Sequence, residues 1–138
     1  MDNTDDILSD ESKLDIATAF LFSLKSRNWQ AMHTLLTDDA SWTLPGTSLL
    51  SGEAKGPDAV VDRARKLRNF GVMLELLHVI YSMRGVALSL HNTASRGDLK
   101  LDEYVVIAME LRDGKVFKLT TYLNDIAGIN NFFKEGII

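Results

Sequence analysis

The chain of 138 residues has no cysteine, only two prolines and only two tryptophans. Without cysteine there is no disulfide, no thiolate zinc site, no iron–sulfur cluster and no cysteine nucleophile. No apolar run approaches the roughly 20 residues that cross a bilayer, so no membrane partner is expected. The first fifteen residues lack the apolar core of a secretory signal, and the expected location is cytoplasmic. Basic charge is scarce: 15 Lys and Arg stand against 19 Asp and Glu. Six of the acids crowd into residues 1–15 with one lysine, which leaves the rest of the chain nearly neutral. Phosphate binding is dominated by cationic charge, so nucleic acid is excluded as a partner. The one basic cluster, Arg63, Arg65, Lys66 and Arg68, reads as a solvated helix face. Asp38-Asp39 reads as a turn, without the further ligands a metal needs, and no metal or cofactor is expected. There is no phosphate-cradling glycine loop and no Gly-x-Ser-x-Gly elbow.

What is present is an ordinary globular composition, 46% hydrophobic and 25% charged. One domain over residues 10–138 is expected, behind a flexible acidic leader at 1–9. Ser12-Lys13-Leu14-Asp15 has the form of a capping box. Leu14, Ala17, Phe20, Leu21 and Leu24 then recur at helical spacing. Ser26-Arg27-Asn28 breaks this helix, and a second runs from Trp29 to Leu36. Ala40–Leu44 reads as a strand ended by Pro45-Gly46. Gly56-Pro57-Asp58 opens a third helix, which Gly71 closes. Beyond Gly71 the apolar period changes to two. Asp113-Gly114, between alternating segments at 102–111 and 116–123, is the strongest hairpin signal in the chain. Helices followed by antiparallel strands predict an α+β cone: three N-terminal helices packed on a strongly curved, mostly antiparallel sheet that encloses a pocket.

The ordered set Leu35-Leu36-Thr37-Asp38-Asp39-Ala40-Ser41-Trp42, Pro45-Gly46, Leu50-Ser51-Gly52, Lys55-Gly56-Pro57-Asp58-Ala59-Val60, Leu77-His78-Val79, Leu111-Arg112-Asp113-Gly114-Lys115-Val116 and Asn124-Asp125 to Phe132-Phe133 resembles the SnoaL-like branch of the nuclear-transport-factor-two-like superfamily. The resemblance covers nearly the whole chain. It implies the conical fold but not one function, because the superfamily holds isomerases, dehydratases, epoxide hydrolases, cyclases and non-catalytic domains. By resemblance, the tyrosine, base and acid of ketosteroid isomerases fall on Phe20, Leu44 and Val106, which move no proton. The catalytic positions of limonene-type epoxide hydrolases fall on Leu90, Asn92 and Thr121, again without acid or base. Both mechanisms are therefore disfavoured. SnoaL-type cyclases use one buried strand acid, for which Asp102 and Glu103 are the nearest candidates.

Among the residues themselves, His78 is the expected catalytic acid/base, sharing a strand face with Leu74, Leu76 and Ile80. The alternative is a core histidine bonded to backbone. The expected ligand-binding residues are Phe20, Trp42, Leu44, Leu67, His78, Leu90, Tyr104, Val106, Thr121 and Leu123. Trp42 reads equally as plain core, and Tyr104 as a rim tyrosine. Such a lining suits a small hydrophobic ligand and an isomerase, lyase or cyclase type of reaction. The alternative is a non-catalytic module with a vestigial pocket. Val105, Ile107 and Met109 alternate with Tyr104, Val106 and Ala108, making this strand apolar on both faces. With Val106 toward the pocket, Val105, Ile107 and Met109 would face a second copy in a two-fold homodimer, with Tyr122 and His91 at its edge.

Overall fold

The computed structural model describes residues 7–134. Helix α1 (Asp10–Ser26) starts at Ser9, whose hydroxyl accepts the Ser12 N–H at 3.1 Å. It therefore begins before the Ser12 box, with Asp10 and Glu11 at the positive end of its dipole. Residues 1–6 of the expected leader lie outside the described residues. Of the remainder, Leu8 packs against the core and Ser9 is the cap. Arg27 closes α1 in the left-handed region at φ 59°, and Asn28 caps α2 (Trp29–Thr34) by accepting the Ala31 N–H.

Strands β1 (Leu36–Leu44) and β2 (Gly52–Lys55) pair antiparallel before α3 (Pro57–Asn69). The meander β3 (Met73–Tyr81), β4 (Gly85–Arg96), β5 (Leu99–Arg112) and β6 (Lys115–Leu123) follows, and α4 (Ile126–Phe132) ends the order. The six strands form one sheet in the order β2-β1-β6-β5-β4-β3. Only β1 and β6 run parallel. The α+β class agrees with the sequence, but the arrangement differs. There are four helices among the described residues, α3 enters after the first hairpin, and α4 comes last. β2 was not legible in the sequence because it is short and mostly exposed, so it has no apolar alternation. β1 starts earlier than read: Asp38 and Asp39 lie within it, exposed, where the pairing with β6 shifts register.

Helices α1 and α3 and the short α2 pack against the sheet, and α4 packs on β5. Two cations take unusual places. Lys13 is buried on α1 and donates to the carbonyls of Ser82 and Met83 in the β3–β4 turn. Arg63, expected on a solvated face, is 7% exposed. Its guanidinium donates to the carbonyls of Trp42 (2.5 Å) and Gly52 (2.9 Å), tying the β1–β2 hairpin to α3. Burial lowers its pKa to about 10, so it stays charged at neutral pH. The Asp113-Gly114 turn is as read: both residues have positive φ, 55° and 75°, and Arg112 pairs with Lys115 across it.

Two details of register decide which side chains face inward. In β3 the pairing jumps from Leu76↔Leu90 to His78↔Ser89, so Leu77 is an extra residue. Such a bulge inverts the alternation beyond it. In β5 the odd-numbered residues 101–111 are buried, and the even-numbered residues form the outer face of the sheet.

Candidate functional site

A space of about 40 Å³ lies between the sheet and the helices, room for roughly three waters or one small organic molecule. Trp42 and Leu44 of β1, Leu67 of α3 and Leu74 of β3 border it. Val105 and Ile107 of β5 and Leu123 of β6 form the floor, and Ile129 and Phe133 close the side of α4. These walls are apolar. The polar groups on the lining are Asn92, Glu103 and Thr121, and no lysine or arginine is among them.

Trp42 is fixed from both sides. Its indole N–H donates to Thr121 Oγ1 at 2.7 Å, which satisfies a buried donor across the parallel β1–β6 pair. The Arg63 guanidinium lies over its ring, 5.7 Å from the centroid. Phe20 meets the same indole edge-on at 6.0 Å, as a buried support behind Trp42 rather than a wall of the cavity.

Glu103 is the unusual group. It is 2% exposed, yet Oε1 has no hydrogen-bond partner among the described residues. Burial first, and then the neighbouring Asp125 carboxylate, raise its pKa to about 7; the Asp125 backbone N–H opposes the rise. Asp125 also caps α4, accepting the Gly128 N–H at 3.0 Å. Directly across β4, Asn92 pairs with Glu103 on the same face, and its buried Oδ1 is also unpartnered.

Several expected site residues stand elsewhere. Trp42, Leu44, Leu67, Thr121 and Leu123 do border the cavity. Leu90 is fully buried core and does not. His78 is exposed on the outer side of β3, because the bulge at Leu77 turns it away from Leu74 and Leu76. Tyr104 (58% exposed) and Val106 are on the outer face of β5, while Val105, Ile107 and Met109 are buried inside. The expected dimer face is therefore the core face, and the expected pocket face is the outer one. Apolar residues on both sides of β5 made the two faces look alike. The ends of the strand carried the missing signal: Asp102, Glu110 and Arg112 mark the wet face, Leu101 and Leu111 the dry one. Glu103 breaks that alternation and hides it.

The outer face also holds His91, stacked on Tyr104 at 4.7 Å. Its ring nitrogens meet Asp102 Oδ1 at 2.6 Å and Glu75 Oε1 at 3.6 Å. The Asp102 hydrogen bond holds its pKa above the ordinary histidine value. Among the described residues no group of three or more His, Asp or Glu is placed to hold a metal. No helix there is long and apolar enough to cross a membrane.

The arrangement matches solved structures over nearly its whole length. A protein called Bal32a, from a soil-derived mobile gene cassette, superposes with a TM-score of 0.83 at 26% identity, covering 90% of this chain and 98% of that one. An NTF2-like protein of Burkholderia xenovorans LB400 gives a TM-score of 0.78 at 16% identity, covering 91% of this chain and 98% of its own. The chain has the NTF2-like fold. An LEH-like epoxide hydrolase of M. tuberculosis shares this NTF2-like frame, with a TM-score of 0.70 at 17% identity and coverage of 89% and 90%. No sequence-family model and no curated protein matches the chain. In this NTF2-like chain the sheet supplies the polar groups and most of the lining, and α3 and α4 add Leu67 and Ile129.

Proposed function

We propose that the cavity is a small-molecule site in which Glu103 exchanges a proton with a largely apolar ligand. In this reading the sheet curves around the ligand as the wall of a cone, with Leu67 of α3 and Ile129 of α4 as its helical cover. The observation that carries the reading is the Glu103 carboxyl, buried in an apolar enclosure with one oxygen free. A carboxyl with a pKa near 7 is half ionised at neutral pH and serves as acid or base with little cost. Structures with this fold include a ketosteroid isomerase-like protein of Kribbella flavida and the LEH-like epoxide hydrolase. Neither mechanism is assigned here. The inward acid of the penultimate strand is Glu103, not Val106, but Phe20 and Leu44 still supply no second proton-transfer group. One buried strand acid fits the single-carboxylate pattern of the SnoaL-like resemblance, and supports an isomerase, lyase or cyclase type of step. Glu103 replaces His78 as the acid/base.

The test is direct. Carbon-detected NMR should show the Glu103 carboxyl titrating near pH 7. In D₂O the protein should speed deuterium exchange at the enolisable carbon of hydroxyacetone, and Glu103→Gln should abolish that acceleration. A Glu103 titration in the ordinary carboxylate range would remove the basis of the reading.

A second reading keeps the fold as a dimeric interaction module. Tyr104 and Tyr122 are 58% and 59% exposed, and Ile80 also faces outward, around the half-buried Val106 and Ala108. This outer face, rather than Val105, Ile107 and Met109, is then the surface that meets a second copy.

A further inference from the structure

The site proposed above leaves open what kind of head group its ligand carries, and the cavity's own polar atoms address that. Asn92 and Glu103 are direct partners across the β4–β5 pair, both on the inner face. Side chains so placed have β-carbons about 5 Å apart. Each presents a buried oxygen, Asn92 Oδ1 and Glu103 Oε1, that has no partner among the described residues. Leaving a buried polar group unmet forfeits its hydration without return. Two on one strand pair are a feature of the cavity rather than a local defect. Both border the same space of about 40 Å³, whose other walls nearby are Leu74, Leu101 and Ile129.

The remaining polar group on the lining does not meet them. Thr121 already accepts from the Trp42 indole, and it pairs with Ile107, four residues along β5 from Glu103. Among the described residues no lysine or arginine lines the cavity to supply donors or to balance an anion. Nearby charge is instead negative: Asp125 and Asp102 both act on Glu103. A carbonyl or carboxylate ligand would bring a further acceptor to this end, and an anion would also meet that charge.

We infer that Asn92 and Glu103 together form the head-group subsite, and that it takes a ligand whose small apolar body carries a hydrogen-bond donor, an alcohol or a protonated amine. A protonated amine donates to both oxygens, an alcohol gives its one O–H to Asn92 Oδ1, and the aliphatic walls take the body. This rests on the cavity being a ligand site, but not on Glu103 transferring a proton.

Three molecules of equal heavy-atom number separate the possibilities: propan-2-ol, isopropylamine and acetone. The full chain is titrated with each and followed by NMR at the Asn92 side-chain amide and the Glu103 carboxyl. Propan-2-ol and isopropylamine should saturate, each about tenfold tighter than acetone, the ratio expected when a buried acceptor is met by a donor rather than left unpartnered. Asn92→Leu should bring propan-2-ol down to the level of acetone. Asn92→Ser, a smaller change with a short hydroxyl in place of the amide, should act in the same direction if the leucine variant does not fold. Glu103→Gln keeps an acceptor, so propan-2-ol binding should survive while isopropylamine loses its advantage. Binding of acetone as tight as that of propan-2-ol would overturn the inference. So would saturation by none of the three, which would mean that the Glu103 carboxyl proton and the Asn92 carbonyl satisfy one another. Neither result bears on whether Glu103 titrates near pH 7, which is the separate test of its proton-transfer role.

Discussion

Gly128 of α4 lies against Glu103 so closely that a β-carbon at position 128 would overlap Glu103 Oε2 and stand 2.8 Å from Asp125 Oδ2. The C-terminal helix thus docks on the buried carboxyl through the one residue type that leaves it room. Alanine normally stabilises a helix interior by about 1 kcal/mol relative to glycine. Here the sign should reverse. Gly128→Ala should destabilise by roughly 1–3 kcal/mol through overpacking, and should move the Glu103 titration. Urea denaturation and the carboxyl NMR signal check both parts.

Glu103 also makes stability depend on pH. Its pKa in the folded chain is about 7, above the 4.5 of an ordinary glutamate, so the folded state binds its proton more tightly. Its contribution is therefore complete below about pH 4.5 and is lost as pH rises through 7. Glu103→Gln, which cannot ionise, should remove this slope. Because the surroundings relax around a buried charge, the variant should gain about 2 kcal/mol over the parent at pH 8 rather than the full value of the shift. Denaturation midpoints measured from pH 4 to 9 would show the two curves diverging.

Trp42 depends on a single acceptor, the Thr121 hydroxyl. Thr121→Val preserves the side-chain shape but strands the indole N–H in the core. The expected loss is about 1–3 kcal/mol, with an altered tryptophan fluorescence spectrum in the native state. A change of less than about 0.5 kcal/mol would show that the indole finds another partner.

Ile107 and Val106 are neighbours in sequence with opposite fates. Ile107 is 3% exposed, so Ile107→Asp places an unpaired carboxylate in the core and should cost more than about 4 kcal/mol, preventing a cooperative fold. Val106 faces outward and is half-buried. Val106→Asp should change monomer stability by less than about 1 kcal/mol, and should dissociate a dimer built on the outer face, as read by sedimentation velocity. A stable, folded Ile107→Asp protein would refute the assignment of faces in β5.

The sequence by itself determined the α+β class, the break between α1 and α2, the start of α3 at Gly56-Pro57 and the β5–β6 turn. Each of these is a local matter of capping, proline geometry or positive φ at Asp113-Gly114. It also placed Trp42 and Leu44 on one face and Thr121 and Leu123 on one face, because residues 41–44 and 119–123 hold period two even though the whole strands do not. Tertiary structure decided the rest. One extra residue, Leu77, carries His78 from the inner face to solvent, and a bulge has no composition of its own to announce it. The facing of β5 follows from its pairing with β4 and β6, since apolar residues on both sides leave period two without a phase. The resemblance pointed to Asp102 or Glu103 as a buried acid, but the residues themselves did not choose between them, because a glutamate between Asp102 and Tyr104 looks like surface. Only the long-range closure of α4 over β5, with Gly128 seated on the carboxyl, removes it from water.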